Sequence, residues 1–219
     1  IQILKETVEA KTRRLSARWT FEAAQDAESM HGVDVEAEIM QALAQEIVVE
    51  IDQEIIGSLR TLAGAGTTLN FGGSLTGTPA YIGDRHALLA IEINRAANRI
   101  AARTRRGAGN YIVVSPEALT ILQSASTSTF ARTTEGSFEA PTNTKLVGTL
   151  NNSVKVYVNQ YAANDDVLVG YKGSSESDAA AFYCPYVPLM SSGTVLDPDT
   201  FEPVVGFMTR YGYVELTNT

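Results

Sequence analysis

Apolar residues recur at spacings of three and four over one long stretch, Val33 to Leu62: Met40, Leu43, Ala44, Ile47, Ile51, Ile55, Leu59 and Leu62. That period predicts a single helix with one buried stripe. Asp34, following Gly32, is placed to cap it. Glu36 and Glu38 in the first turn and Arg60 near the end suit the helix dipole. At roughly 1.5 Å per residue the rod is about 40 Å long. Residues 3–20 keep a different rhythm. Val8, Ala10 and Thr12 alternate with charged residues, then Leu15, Ala17, Trp19 and Phe21 alternate in turn. Period two predicts an extended arm, with a bulge or bend where the phase changes near Arg13 and Arg14. Such an arm is expected to lie on another subunit. Thr20 reads as the cap of a short helix from Phe21 to Met30, ended by His31-Gly32.

Beyond the long helix, residues 63–83 are rich in Gly, Thr and Ser. Gly64-Ala-Gly66-Thr-Thr and Gly72-Gly73 invite a phosphate-loop reading. They lack GxGxxG, a following Lys-Ser or Lys-Thr, and a strand leading in, so a flexible connection is the stronger reading. Asp84 then caps a second helix, His86 to about Arg106. Leu89, Ile93, Ala96, Ala97 and Ile100 form its apolar side, and Arg95, Arg99 and Arg103 line the other at i,i+4 spacing. Gly107-Ala-Gly109 stops it. Tyr111 to Val114 reads as a short buried strand. Ser115-Pro116-Glu117 opens a helix to about Gln123. No G-x-S-x-G surrounds Ser115, which therefore reads as a cap and not a nucleophile.

Residues 124–144 are polar and predict a surface loop or short irregular hairpin. Strands follow at 145–150 and 154–158 around Asn151-Asn152-Ser153, and at 167–170 after Asn164-Asp165-Asp166. Gly173 to Asp178 is a turn, and Ala180 to Tyr183 a strand. The tail alternates prolines with aromatic and branched residues. Val187–Met190 and Val204–Arg210 predict two long strands joined through Asp197-Pro-Asp199-Thr, and the prolines place strand edges or bulges there. Tyr183, Tyr186, Phe201, Phe207, Tyr211 and Tyr213 offer packing area, and the tail is expected to return to the first helix and cover it.

Composition narrows the function classes. The 219 residues are 44% hydrophobic, enough for one large domain or two modest ones. A formal net charge of -8 argues against non-specific nucleic-acid binding as the main role. The single cysteine, Cys184, excludes an intrachain disulfide and a Cys-cluster zinc site, and between aromatics and prolines it reads as a small buried hydrophobe. No apolar run approaches 18 residues, so no membrane span is expected. The start, with Lys5 and Glu6, is not a signal peptide, and without an initial Met a processed or trimmed product is expected. Charge is uneven: residues 1–62 carry twelve acids and six bases, residues 84–106 two acids and six bases. The two helices could pair with each other or with neighbouring copies. His31 and His86 have no Cys or acidic partner at ligand spacing, and Asp165-Asp166 reads as a solvated turn. No catalytic, cofactor or metal residue is assigned, and no cofactor is expected.

Several long runs carry a family likeness. RRLSARWTFEAAQDAESMHGVDVEAEIMQALAQEIVVEIDQEII from Arg13 to Ile56, RTRRGAGNYIVVSPEAL from Arg103 to Leu119, GYKG from Gly170, FYCPYVPL from Phe182 and DPDTFEPVVGFMTRYG from Asp197 resemble the major capsid proteins of T4-like tailed bacteriophages. The resemblance implies an α+β tailed-phage capsid fold with a long spine helix, an elongated peripheral sheet and a compact axial domain. On this implication residues 1–62 hold the end of an extended loop and the spine helix. Residues 63–181 are mainly the axial domain, and residues 182–219 return to the peripheral sheet. Family subunits are longer, so the N-terminal arm and most of the extended loop are expected to be missing from this chain. The resemblance further implies homo-hexamers tiling an icosahedral shell around double-stranded DNA bound without sequence specificity. Vertex and decoration proteins are partners, assembly is in the host cytoplasm, and no membrane is involved.

The leading function is therefore structural and not enzymatic. The candidate interface residues are Arg95, Arg99 and Arg103 set against Glu46, Glu50 and Glu54, within or between subunits. The alternatives are a pentamer-forming vertex paralogue, a non-viral shell protein of the same fold and, more remotely, an α/β enzyme.

Overall fold

The computed structural model describes residues 7–64, 66, 68–69, 82–124, 130–132, 144–150, 153–162, 166–175 and 178–216. The chain divides into two units, Ile1–Ile55 with Ala181–Thr219, and Ile56–Ala180. The candidate phosphate loop at 64–73 and the turns at Asn151-Asn152 and Asn164-Asp165 lie largely outside the described residues.

The first unit is a three-stranded antiparallel sheet carrying a long helix. Strand β1 (Lys11–Arg18) and strand β7 (Ala181–Leu196) flank the central strand β8 (Pro203–Glu215). The extended arm is thus real, but its hydrogen-bonding partner is in its own chain. Its register with β8 runs unbroken from Lys11↔Tyr211 to Arg18↔Val204, so the expected bulge at Arg13–Arg14 does not occur. The apparent phase change arises because Arg13 occupies an inward position of the Leu15–Ala17 face. Helix α1 (Phe21–His31) follows, with the Ala23 amide donating to Thr20 Oγ1 at 3.3 Å, and Gly32 closes it at φ 65°. Helix α2 (Val35–Ala63) begins where the Glu36 amide donates to Asp34 Oδ1 at 3.0 Å. Both N-caps stand as the sequence predicts.

The core of this unit joins Trp19 and Ile47 to Val205 and Phe207, with Leu15, Ala17, Leu43 and Ile51 around them. Alternation along β8 buries Val205, Phe207, Thr209 and Tyr211 on the helix side, so the tail does cover the first helix. Helix α2 departs from its single-stripe reading. Val49 and Ile56, off the stripe and seven residues apart, are also buried, and Asp52 between them is half-buried. The tail's strands are longer than expected: β7 is one run of 16 residues through Pro185 and Pro188. Its register with β8 slips between Pro185 and Val187, between Val187 and Met190, and between Ser191 and Thr194. Proline is tolerated because β7 is an edge strand whose outer side needs no donors. Of the aromatics assigned to packing, Phe207 and Tyr211 are buried, whereas Tyr183, Tyr186 and Phe201 are exposed. Cys184 is exposed too, not buried, because no described residue packs over it on its edge strand.

The second unit is a five-stranded sheet of order β3-β4-β5-β2-β6, from β2 (Tyr111–Val114), β3 (Phe130–Arg132), β4 (Thr144–Leu150), β5 (Val154–Asn159) and β6 (Val167–Gly170). Only β2 and β5 are parallel. Helices α3 (Ile82–Thr104) and α4 (Pro116–Ser124) bury Leu89, Ile93, Ala118 and Leu122 against Ile112, Val114, Leu150 and Val156. Helix α3 starts two residues before Asp84, which lies in its first turn and is not its cap. Its end is set not by Gly107 but by Arg105 at φ 54°, whose amide donates to the Ala101 carbonyl at 2.8 Å. Gly109 serves a different need. A Cβ there would stand 3.0 Å from Val169 and 3.2 Å from Ala97, so glycine lets the backbone pass close to α3. Ser115 is a cap as expected: its buried Oγ accepts from the Ala118 amide at 3.2 Å. Strand β3 lies within 124–144, where a short irregular hairpin is one of the two expectations, and pairs antiparallel with β4.

Candidate functional site

Three regions among the described residues are candidates: an ionic clamp, an exposed arginine row and an open groove. The first is a polar clamp on the inner face of the three-stranded sheet. Strand alternation aims Arg13 inward along with Leu15 and Ala17, where a helix carries Glu50 and Glu54 one turn apart. The Arg13 guanidinium bonds Glu50 at 2.5 Å and Glu54 at 2.6 Å, and the Tyr211 hydroxyl donates to the same Glu54 oxygen at 2.5 Å. One side chain each from β1 and β8 is thereby fixed to α2. Burial opposes the Arg13 charge, but the Glu50 hydrogen bond and the charges around it outweigh that and hold its pKa above the ordinary value. Burial and the hydrogen bond to Glu54 push the Tyr211 phenol up to about 12. On the same helix, burial raises the Asp52 carboxyl above the ordinary range. Burial and the Asp52 charge together raise Tyr183, whose ring lies 5.4 Å from that of Tyr211.

The second surface is the arginine row of α3. Arg95, Arg99 and Arg103 are all exposed, as the i,i+4 spacing implies. Arg95 pairs with Glu92 on its own helix; Arg99 and Arg103 make no ion pair with a described residue. Of the acidic candidates, Glu46 is exposed, whereas Glu50 and Glu54 belong to the Arg13 clamp. In the sequence Arg13 shows only as an arginine on an otherwise apolar alternation, and Tyr211 only as packing area. Elsewhere in the second unit Arg60 pairs with Asp166 and Arg106 with Asp178. Among the described residues no cluster of three or more His, Cys, Asp or Glu is arranged to hold a metal. None of the helices there is long and apolar enough to cross a membrane.

The third surface is the outer face of the three-stranded sheet. A groove of about 410 Å³ opens there, with Arg14, Ser16, Met190, Ser192, Gly206 and Met208 among its lining. Arg210, on the same face, stands over the Tyr186 ring at 5.5 Å. Arg18 is neutralised at one end by Asp197 at 3.4 Å and Glu202 at 3.6 Å.

The family model of the major capsid protein Gp23 matches residues 1–219. The chain belongs to that family. Against the major capsid protein of Vibrio phage KVP40 it is 38% identical over 228 aligned residues, covering 96% of this chain and 44% of that protein. Against those of Enterobacteria phages T6 and T4 it is 36% identical over 235, covering 45% and 43% of them. The chain therefore spans less than half the length of these three major capsid proteins. Among solved structures, a chain of Mycobacterium phage Che8 is similar with a TM-score of 0.57 at 17% identity, over 93% of this chain and 66% of that one. The capsid of Myoviridae phage XM1 is similar with a TM-score of 0.56 at 15% identity, over 96% and 71%. At such identities the likeness speaks for the fold: a mixed α+β architecture shared with those phage chains.

Proposed function

We propose that this Gp23-family chain is a structural subunit that self-assembles into the hexamers of an icosahedral shell enclosing double-stranded DNA. The observation that carries the proposal is the family match over the whole chain, with identities of 36–38% to major capsid proteins. In this reading the long helix is the spine of a peripheral domain whose sheet is β1-β8-β7, and the five-stranded unit is the axial domain at the capsomer centre. The shell forms in the host cytoplasm and ends in the virion, with vertex and decoration proteins as further partners. Identical subunits in a closed ring meet through a heterologous interface, because an isologous patch stops at dimers. The exposed arginine row Arg95, Arg99 and Arg103 of one subunit then faces acidic surface of the next. Glu46 remains available for that contact, while Glu50 and Glu54 act within the subunit by holding Arg13.

Negative-stain imaging of the purified chain across a concentration series tests the reading. Rings, sheets or closed shells are expected as concentration rises. A strictly monomeric chain at every concentration would sink it.

A further inference from the structure

Helix α1 carries no buried residue, and it leaves Phe21 60% and Met30 76% exposed. Ala24 and Ala27 are its more sheltered positions. Glu22, Asp26 and Met30, all exposed, fall at i, i+4 and i+8, one line along the helix. Neither acid makes an ion pair with a described residue. The line ends in an apolar tip and is about 12 Å long at roughly 1.5 Å per residue.

The outer face of the β1-β8-β7 sheet presents the opposite pattern. Gly206 forms a floor without a side chain, with Met190 and Met208 beside it in the open groove. Arg14 lies across from Met208, and Arg210 is two residues further along β8. From Gly206 to Arg210 is about 13 Å at roughly 3.3 Å per residue. Both arginines are exposed and make no ion pair with a described residue; Arg210 only donates to the Ala10 carbonyl at 3.3 Å and stands over Tyr186.

We propose that α1 of a second copy docks on this face. Met30 enters the groove over Gly206, Asp26 meets Arg14 and Glu22 meets Arg210. The charges are complementary in order and the two lines match in length. The patches are different surfaces of one subunit, so the contact is heterologous and propagates, as a shell requires. The proposal rests on the self-assembly reading above and adds to it a specific contact.

Two measurements on the 219-residue chain test it. In a Cys184→Ser background, Met30→Cys combined with Met190→Cys should give, on mild oxidation, a ladder of dimers, trimers and higher multimers. Either single-cysteine chain should stop at dimers. A double-cysteine chain that gives no more than its single-cysteine controls overturns the contact, and so does a strong dimer from Met190→Cys alone, which would mark a sheet-to-sheet pairing. In sedimentation, Glu22→Lys with Asp26→Lys should weaken association at least tenfold. Arg14→Glu with Arg210→Glu should do the same, and the four changes together should restore it. Gly206→Val fills the groove floor, where a Cβ meets only Ser192 Oγ at 3.5 Å and the Leu15 carbonyl at 4.0 Å, and should also weaken association without disturbing the strand. Undiminished association of the charge variants overturns the contact and leaves the shell reading standing. An unchanged chain that never associates overturns both.

Discussion

At the scale of single residues, Arg13 is the side chain with most at stake. Its two partners are partly exposed, so the pairs are worth less than buried ones, but Arg13 itself is largely covered and its removal leaves Glu50 and Glu54 side by side. Arg13→Ala should cost about 1–2 kcal/mol and Tyr211→Phe about 1 kcal/mol in urea denaturation. Because both act on the same Glu54 oxygen, the double variant should depart from additivity by about 0.5 kcal/mol or more. Asp52 makes the opposite kind of contribution. Its folded pKa lies above the ordinary 3.8, so the folded state binds its proton more tightly than the unfolded state does. The stability this confers is complete below the ordinary value and is lost as pH rises through the raised one. Asp52→Asn should therefore raise the melting temperature at neutral pH and give little gain at about pH 3. An equal gain at both pH values would show that charge burial is not the cause.

At the scale of elements, the two units are stabilised in different ways. The five-stranded unit has an apolar core, in which Ile112, Leu122, Leu150 and Val156 are fully buried. Leu122→Ala should cost about 2–5 kcal/mol, since the cavity it leaves is walled by both strands and helix. Ser115→Ala should cost about 1 kcal/mol by freeing the Ala118 amide at the start of α4. Thermal melts of the two variants would rank them; a Ser115 change as costly as the Leu122 change would mean the hydroxyl does more than cap. The three-stranded unit relies instead on one helix laid along one sheet face. Its apolar contact runs from Trp19 to Ile51 and gives way to the Arg13 clamp at the far end. The sheet's outer face and both edges carry no second layer among the described residues.

At the scale of the whole molecule, the unmatched features are surface features. A chain with net charge -8 exposes arginines in a row on α3 and others on the outer sheet face. Reversal of Arg95, Arg99 and Arg103 to Glu should reduce assembly while leaving the melting temperature nearly unchanged, because none of the three is buried. Intact rings after that change would remove the row from the interface. High salt should weaken wild-type assembly as well, since screening shortens to about 3 Å at 1 M.

The elements themselves were largely legible in the sequence. The long helix, its Asp34 cap, the short helix after Thr20, the Tyr111–Val114 strand and the Ser115 cap follow from local rules: period 3.6, period 2, and side chains that bond amides two or three residues on. The family could be read from long runs spread over the chain. What the sequence left open was decided by contacts between segments far apart. It could not say that the arm pairs with β8 of its own chain, that Arg13 turns inward to two glutamates 37 and 41 residues away, or that Val49 and Ile56 are buried off the main stripe. Nor could it say that Tyr183, Tyr186, Phe201 and Cys184 stay exposed. Periodicity reports which residues share a side of an element. Only the packing of one element on another settles which side is covered, because burial depends on the neighbour and not on the residue.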